Sequence, residues 1–304
     1  MRKKNKKLSV MLMGILSVVL LMTGCGQVET VEADSKKSQE MTQNEEKKEK
    51  EKEKKIYTFV DVLGEEYEAE LLEEVPTNTY DLSRIVEENG YKYYMSENGE
   101  KESRLGIDVS EYQPQVDWQQ VRNAGIDFVM IRLGYRGYGE KGTLVEDSMF
   151  RQHVENALTA GLDVGVFFFS QAITDEEVEE EADFVLERIK DYQINCPVVF
   201  DTEEIKFDTA RTDNLSGEQF TKNCRIFCDR IQNAGYDTMI YANMKWMAFT
   251  LNLEELTEYE KWYADYEPKP QCPYEFSMWQ YTETGSVPGI EGNVDLNVWF
   301  PKSS

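Results

Sequence analysis

The segment Val199-Phe200-Asp201-Thr202-Glu203 has the composition of a strand that does chemistry. Side chains alternate across an extended chain, so Val199, Asp201 and Glu203 share one face while Val198 and Phe200 take the other. Two carboxyls on one face, with Cα atoms about 6.6 Å apart, stand in each other's field. Like charges in proximity push one pKa upward and keep that group protonated. Such a pair suits glycosidic cleavage, where one carboxyl protonates the leaving oxygen and another stabilises an oxocarbenium-like centre. It also suits the capture of a hard cation.

The same parity recurs elsewhere in the chain. In Leu105-Gly106-Ile107-Asp108-Val109 the apolar residues share one face and Asp108 has the other; in Val294-Asp295-Leu296-Asn297-Val298 the polar face carries Asp295 and Asn297. Arg132 follows Phe128 and Met130 in parity, and Tyr263 and Asp265 alternate with Trp262, Ala264 and Tyr266. Buried charges are costly unless paired or used, so charged groups at corresponding strand ends point to one site. Tyr112, Tyr135, Phe169, Tyr241, Trp246, Trp279 and Tyr281 are expected to surround these positions, and sugar rings stack on aromatic faces.

Positioning these residues requires strands at 105–109, 127–133, 163–169, 197–203, 238–243, 261–266, 277–282 and 294–299, with helices near 117–124, 147–160, 175–191 and 216–234. Gly125, Gly161 and Gly235 fall where helix C-caps belong. This alternation over about 200 residues predicts an α/β fold, an irregular TIM-like β/α barrel whose last three strands have short connections. The active face of such a barrel is at the carboxyl ends of its strands.

The remainder of the 304 residues divides into three. Residues 1–24 read as a lipoprotein signal: a basic stretch, an apolar run from Leu8 to about Met22, then Thr23-Gly24-Cys25, with Cys25 as the lipidated residue. Residues 25–55 form a charged spacer that lacks aromatic side chains, and residues 56–103 a small β-rich N-terminal element. In that element a hairpin turning near Gly64-Glu65, a short helix over Asp81–Glu88 and a strand over Tyr91–Met95 are expected, packed on the main domain of residues 104–304. The formal charge of -25 argues against a nucleic-acid partner. Besides Cys25 there are four cysteines, Cys196, Cys224, Cys228 and Cys272, whose pairing spacing does not reveal.

The stretches Gly106-Ile107-Asp108-Val109-Ser110, Tyr112-Gln113, Asp117-Trp118, Val199-Phe200-Asp201-Thr202-Glu203, Tyr241-Ala242-Asn243, Trp262-Tyr263-Ala264-Asp265-Tyr266, Trp279-Gln280-Tyr281 and Gly292-Asn293-Val294-Asp295-Leu296-Asn297 resemble, in order over residues 104–300, glycoside hydrolase family 25, the barrel-type N-acetylmuramidases. The resemblance implies cleavage of the β-1,4 bond after N-acetylmuramic acid in peptidoglycan, without a cofactor or a metal. It implies Glu203 as general acid, Asp201 as its stabilising partner, and Asp108 and Asp295 as acidic residues of the groove. It implies substrate contacts at Arg132, Tyr241, Asp265, Trp279 and Gln280, to which Phe169 is added from the aromatic set. Thr202 stands where the family pattern has an aliphatic residue, on the face turned from the mouth.

His153, the single histidine, is expected on a surface of the 147–160 helix, and its isolation disfavours Ser-His, Cys-His and zinc-dependent peptidase chemistry. A chitinase-like reading is disfavoured by Val199, which stands where an additional Asp would be required. Close neighbours on one strand do not easily place a nucleophile beneath the sugar opposite the acid, so retention through the substrate's own N-acetyl group is expected. The rival is inversion with Asp108 or Asp295 as base. From another class, the alternative is a catalytically silent glycan-binding lipoprotein on the same fold. The expected location is the outer face of a bacterial membrane, tethered through Cys25.

Overall fold

The computed structural model describes residues 54–302. The expected signal segment, Cys25 and all but the last two spacer residues lie outside the described residues.

The described chain runs through β1 (Ile56–Val60), β2 (Glu66–Glu70), β3 (Ile85–Glu88), β4 (Tyr91–Tyr94), β5 (Arg104–Val109), α1 (Trp118–Asn123), β6 (Phe128–Arg136), β7 (Leu144–Glu146), α2 (Phe150–Thr159), β8 (Asp163–Phe169), α3 (Asp175–Ile189), β9 (Val198–Asp201), α4 (Gly217–Asn233), β10 (Thr238–Asn243), α5 (Met244–Phe249), β11 (Glu260–Ala264), β12 (Met278–Gly285) and β13 (Val294–Trp299). Strands β5, β6, β8, β9, β10, β11 and β12 are parallel neighbours in that order. β13 pairs antiparallel with both β12 and β5 and closes the ring. Each strand proposed from sequence is present; β7, an antiparallel flap on β6, and the one-and-a-half-turn α5 were not foreseen.

Two apolar layers hold the barrel. Inside it lie Phe128, Met130, Val199, Met239, Trp262 and Met278. Each buried side chain of this size contributes roughly 1.5–3 kcal/mol. Gly106 is required here, because a Cβ at that position would stand 2.2 Å from the Phe128 ring. Outside, Leu105, Ile107, Val109, Phe168, Phe200 and Ile240 pack against the helices.

Asp117, Thr174, Ser216 and Asn243 cap α1, α3, α4 and α5 by accepting hydrogen bonds from backbone N–H groups of the first turn. His153 is a correction to the sequence reading. It is buried, 1% exposed, on the α2 face that also carries Phe150, Val154 and Ala157. Its Nε2 lies 3.3 Å from the Ser110 carbonyl, and burial lowers its pKa. The residues between these apolar positions made the helix look amphipathic, but the histidine is part of its inner stripe.

The N-terminal element packs on the barrel as two hairpins. β1–β2 turns through Asp61–Gly64, where the Asp61 carboxylate accepts from the Leu63 and Glu65 N–H groups. The helix expected over Asp81–Glu88 is instead a short 3-10 turn at Leu82–Arg84 followed by β3, paired with β4. Asn89 and Gly90 both have positive φ, the conformation of a two-residue hairpin turn. That turn and the β-branched Ile85-Val86 override the local helical signal. Tyr80 and Tyr94 stack on Phe300, fixing this hairpin against the closing strand. Cys196, Cys224, Cys228 and Cys272 are all buried free thiols.

Candidate active site

Strand register brings the acidic side chains together. Phe169, Asp201 and Tyr241 are partners across β8, β9 and β10, so all three side chains face the barrel axis. Asp108 and Asp295 are partners across the antiparallel seam of β5 and β13. One step along, Asn297 stands opposite Gln280. These rows line an open cleft of about 610 Å³, at the carboxyl ends of the parallel strands. Asp108, Asp201, Glu203, Asp295, Arg132, Phe169, Tyr241 and Gln280 all border it.

Hydrogen bonds divide the four carboxyls into two unlike pairs. Asp108 Oδ2 accepts from Asn297 Nδ2 at 2.8 Å and from Gln280 Nε2 at 3.0 Å. Gln280 Oε1 in turn accepts from the Tyr241 hydroxyl at 2.9 Å and the Tyr266 hydroxyl at 3.2 Å. Asn297 Oδ1 accepts from Trp262 Nε1 at 2.8 Å. Burial raises the Asp108 pKa against the opposing pull of the Asn297, Asp295 and Gln280 hydrogen bonds. Asp295 is pushed up to about 10, by burial first and then by the charge and hydrogen bond of Asp108. Asp108 and Asp295 are hydrogen-bonded to each other, and burial raises both carboxyls above their usual range.

The second pair is less engaged. Asp201 is 5% exposed, yet its Oδ1 has no hydrogen-bond partner among the described residues. Burial, then the charges of Glu203 and Asp108, raise its pKa, with Arg132 opposing. Glu203 lies past the end of β9 and is half-buried. The buried Gln171 carries this turn, donating to the Glu203 carbonyl at 3.4 Å while its Oε1 accepts from Thr212 at 2.8 Å. Burial raises Glu203 to about 7; Asp108 and Glu283 act in the same sense and Lys206 against it. A carboxyl balanced near neutrality can both give and accept a proton at working pH.

Arg132 is held from behind. Its Nε donates to the fully buried Asp147 carboxylate at 2.8 Å, and its Nη2 to Glu111 at 3.0 Å. The sequence reading passed over Asp147, Glu111 and Glu283; it set Asn297 beside Asp295 by parity and quoted Tyr266 in a motif, but assigned neither a role.

Asp265 and Trp279, expected as substrate contacts, do not border the cleft. The β11 face toward the axis is Trp262 and Ala264, so Asp265 points outward. There it accepts from Tyr263 OH at 2.5 Å, from the Glu267 N–H at 3.0 Å and from the Gln271 N–H at 2.9 Å. Trp279 is fully buried outside the barrel wall, with Nε1 donating to the Asp265 carbonyl at 2.7 Å. Tyr281 packs beside it. Trp246, expected among the cleft aromatics, is half-buried against Phe220 and borders two neighbouring cavities rather than the main cleft. Among the described residues no group of three or more His, Cys, Asp or Glu is arranged to hold a metal ion.

A closed β/α barrel with carboxyls clustered on a cleft at the carboxyl ends of its strands is the architecture of the barrel glycoside hydrolases. Residues 107–290 match the model of glycosyl hydrolases family 25, and the chain belongs to that family. It is similar to the autolytic lysozyme of Clostridium acetobutylicum, 28% identical over 193 residues that make up 63% of this chain and 54% of that protein. The chain thus spans about half the length of that relative. In fold it is similar to the modular autolysin LytC of Streptococcus pneumoniae, crystallised with a synthetic peptidoglycan ligand, with a TM-score of 0.58 at 23% identity over 80% of this chain and 56% of that one. It is likewise similar to the lysozyme of Streptomyces coelicolor, with a TM-score of 0.51 at 24% identity over 66% of this chain and 93% of that one.

Proposed function

We propose that this chain is a peptidoglycan hydrolase that cleaves the β-1,4 bond between N-acetylmuramic acid and N-acetylglucosamine. The observation that carries the reading is the pairing of Glu203, held near pH 7 on the cleft, with Asp201, whose Oδ1 is buried and unpartnered. In this reading Glu203 protonates the leaving oxygen and then deprotonates the incoming water. Asp201 receives the N–H of the substrate's 2-acetamido group, filling its empty acceptor and orienting the amide oxygen toward the anomeric carbon. Phe169, Tyr241, Arg132 and Gln280 border the sugar path. Retention of configuration is supported by the hydrogen bonding of the other pair: Asp108 accepts from Gln280 and Asn297 and is bonded to Asp295, so both are engaged with protein partners and less available to activate water. Digestion of purified peptidoglycan tests the activity, with new muramic acid reducing ends as the expected product. Proton NMR before mutarotation tests the stereochemistry; early β-anomer is expected, and early α-anomer overturns retention. Absence of any new reducing end, with the glycan still bound, favours the silent glycan-binding alternative.

The proposed place of action rests on the sequence of residues 1–25. Lipidation of Cys25 would anchor the enzyme to the outer face of the membrane, each buried CH₂ contributing roughly 0.8 kcal/mol. Cys25→Ala is then expected to leave the protein released or its signal uncleaved. A variant that stays on the membrane with its signal removed would overturn the anchor.

A further inference from the structure

The tip of the β1–β2 hairpin reaches the cleft. Val62 and Leu63 border the main cleft and also a second cavity of about 240 Å³ beside Glu203. Of the four clustered carboxyls, Glu203 borders this second cavity and Asp108, Asp201 and Asp295 do not. Asn243, at the end of β10, borders both spaces. In the closed ring β10 stands opposite β5, the strand of Asp108. The hairpin therefore flanks the cleft on the Glu203 side, across the mouth from Asp108.

The hairpin is seated rather than loosely apposed. Its tip is held by the Asp61 carboxylate, which accepts from the Leu63 N–H at 2.9 Å and the Glu65 N–H at 3.0 Å, and by Gly64, whose φ of 81° closes the turn. Gln271 grips β1 from both sides: its Oε1 accepts from the Val60 N–H at 2.8 Å and its Nε2 donates to the Val60 carbonyl at 2.9 Å. Gln271 is itself fixed by Asp265, which accepts from its Nε2 at 3.1 Å as well as from its backbone. Phe59 and Tyr67 stack with centroids 5.6 Å apart and both meet the Phe249 ring. The outcome is an apolar side chain, Leu63, that is 61% exposed at the cleft on a backbone pinned in place.

We infer that Leu63 is a specificity-determining residue that contacts the leaving-group sugar, the N-acetylglucosamine unit released by the cut. The inference rests on the proposed hydrolase reading. A general acid stands at the glycosidic oxygen, between the two sugars that it joins. In that reading Asp201 takes the acetamido group of the muramic acid unit. The space that Glu203 shares with the hairpin, and that Asp201 does not border, then belongs to the other sugar. The charges around this space are mixed: Asp61 and Lys245 lie 4.0 Å apart, and Glu203 and Glu204 share the wall with Lys206. Such a rim favours no ion of either sign. It matches an uncharged sugar, whose hydroxyls donate to carboxylates and accept from ammonium groups. The apolar ring face and acetamido methyl of that sugar find their counterpart in Leu63, and burying these surfaces together is favourable.

The test compares Leu63→Ser with the parent on two substrates that differ in the leaving group. One is glycan strands, which release N-acetylglucosamine; the other is the β-fluoride of N-acetylmuramic acid, which releases a fluoride ion and needs no second sugar site. Expected for Leu63→Ser is a loss of about tenfold in kcat/KM on strands, the lower end of what one missing apolar contact removes, with a loss below about twofold on the fluoride. Leu63→Met, which retains apolar surface, should recover most of the loss. Parental kcat/KM on strands, or an equal loss on both substrates, overturns the inference. A second measurement is independent of turnover: binding of a peptide-free tetrasaccharide of the strand to the Glu203→Gln variant, with and without Leu63→Ser. The serine should raise Kd about tenfold; an unchanged Kd, or no binding to either protein, overturns the contact. Should the parent cut neither substrate, the hydrolase reading falls, while this binding comparison still decides the role of Leu63. Matching thermal unfolding of Leu63→Ser and the parent, expected for an exposed side chain, excludes misfolding as the cause.

Discussion

The two carboxyl pairs sit side by side yet live in opposite circumstances. Asp108 and Asp295 face each other across an antiparallel seam, share a proton and are pinned by Asn297 and Gln280. Asp201 and Glu203 follow one another on a parallel strand end, with an unfilled acceptor on Asp201 and an ionisable group at Glu203 poised near 7. The saturated pair behaves as framework; the unsaturated pair has capacity left for a substrate. Buried polar groups lacking partners cost free energy, and the Asp201 Oδ1 is one that stands beside the cleft.

Mutations can break this contrast in graded steps. Glu203→Gln should cost the most, roughly 10²–10⁴-fold in kcat for loss of acid–base catalysis, with substrate binding retained. Steady-state kinetics on solubilised glycan checks it, and a loss below tenfold removes Glu203 from the acid role. Asp201→Asn should come next, near 10²-fold in kcat, the scale of a lost preorganised electrostatic contact. Asp108→Asn turns an amide toward the Asn297 and Gln280 donors. It should cost about 1–3 kcal/mol of stability in chemical denaturation, with a smaller effect on kcat than Asp201→Asn. Asp295→Asn should be mildest, within about 1 kcal/mol of the parental barrier, because an amide in its place keeps a hydrogen bond to Asp108. Should Asp295→Asn match Asp201→Asn in damage, the two pairs are not distinct.

The pH response sharpens the same contrast. The Glu203 pKa is raised from the ordinary carboxyl value of 4.5 to about 7, so kcat/KM should fall as pH rises above about 7. Between those two values the folded state holds a proton that the unfolded chain has released. This contributes stability at the acid end of the window and is lost as pH rises through it. Glu203→Gln should therefore be more stable than the parent above pH 7, by on the order of 1–3 kcal/mol. Equal stability of the two proteins at pH 8 would show that Glu203 is not strained by burial.

Strand parity made the barrel and the four carboxyls legible, because β5, β9 and β13 each have one plainly apolar face. It failed where both faces are aromatic. In Trp262-Tyr263-Ala264 and Trp279-Gln280-Tyr281 either parity looks apolar, and Asp265 and Trp279 were set on the wrong side of the wall. A bulge after Gln280 further blurs the period in β12. The hairpin tip was illegible for another reason. Val62 and Leu63 are unremarkable as residues, and only the Gln271 clasp, 211 positions away, carries them to the cleft.

The antiparallel seam also has a consequence in time. Asp108 lies on the first barrel strand and its anchor Asn297 on the last, 189 residues apart. During synthesis the ring stays open until β13 emerges, and such long-range closure is slow. Until then Asp108 has neither Asp295 nor Asn297 beside it. An enzyme arranged in this way completes the surroundings of its carboxyl cluster in a single late step, when its own C-terminal strand slots home.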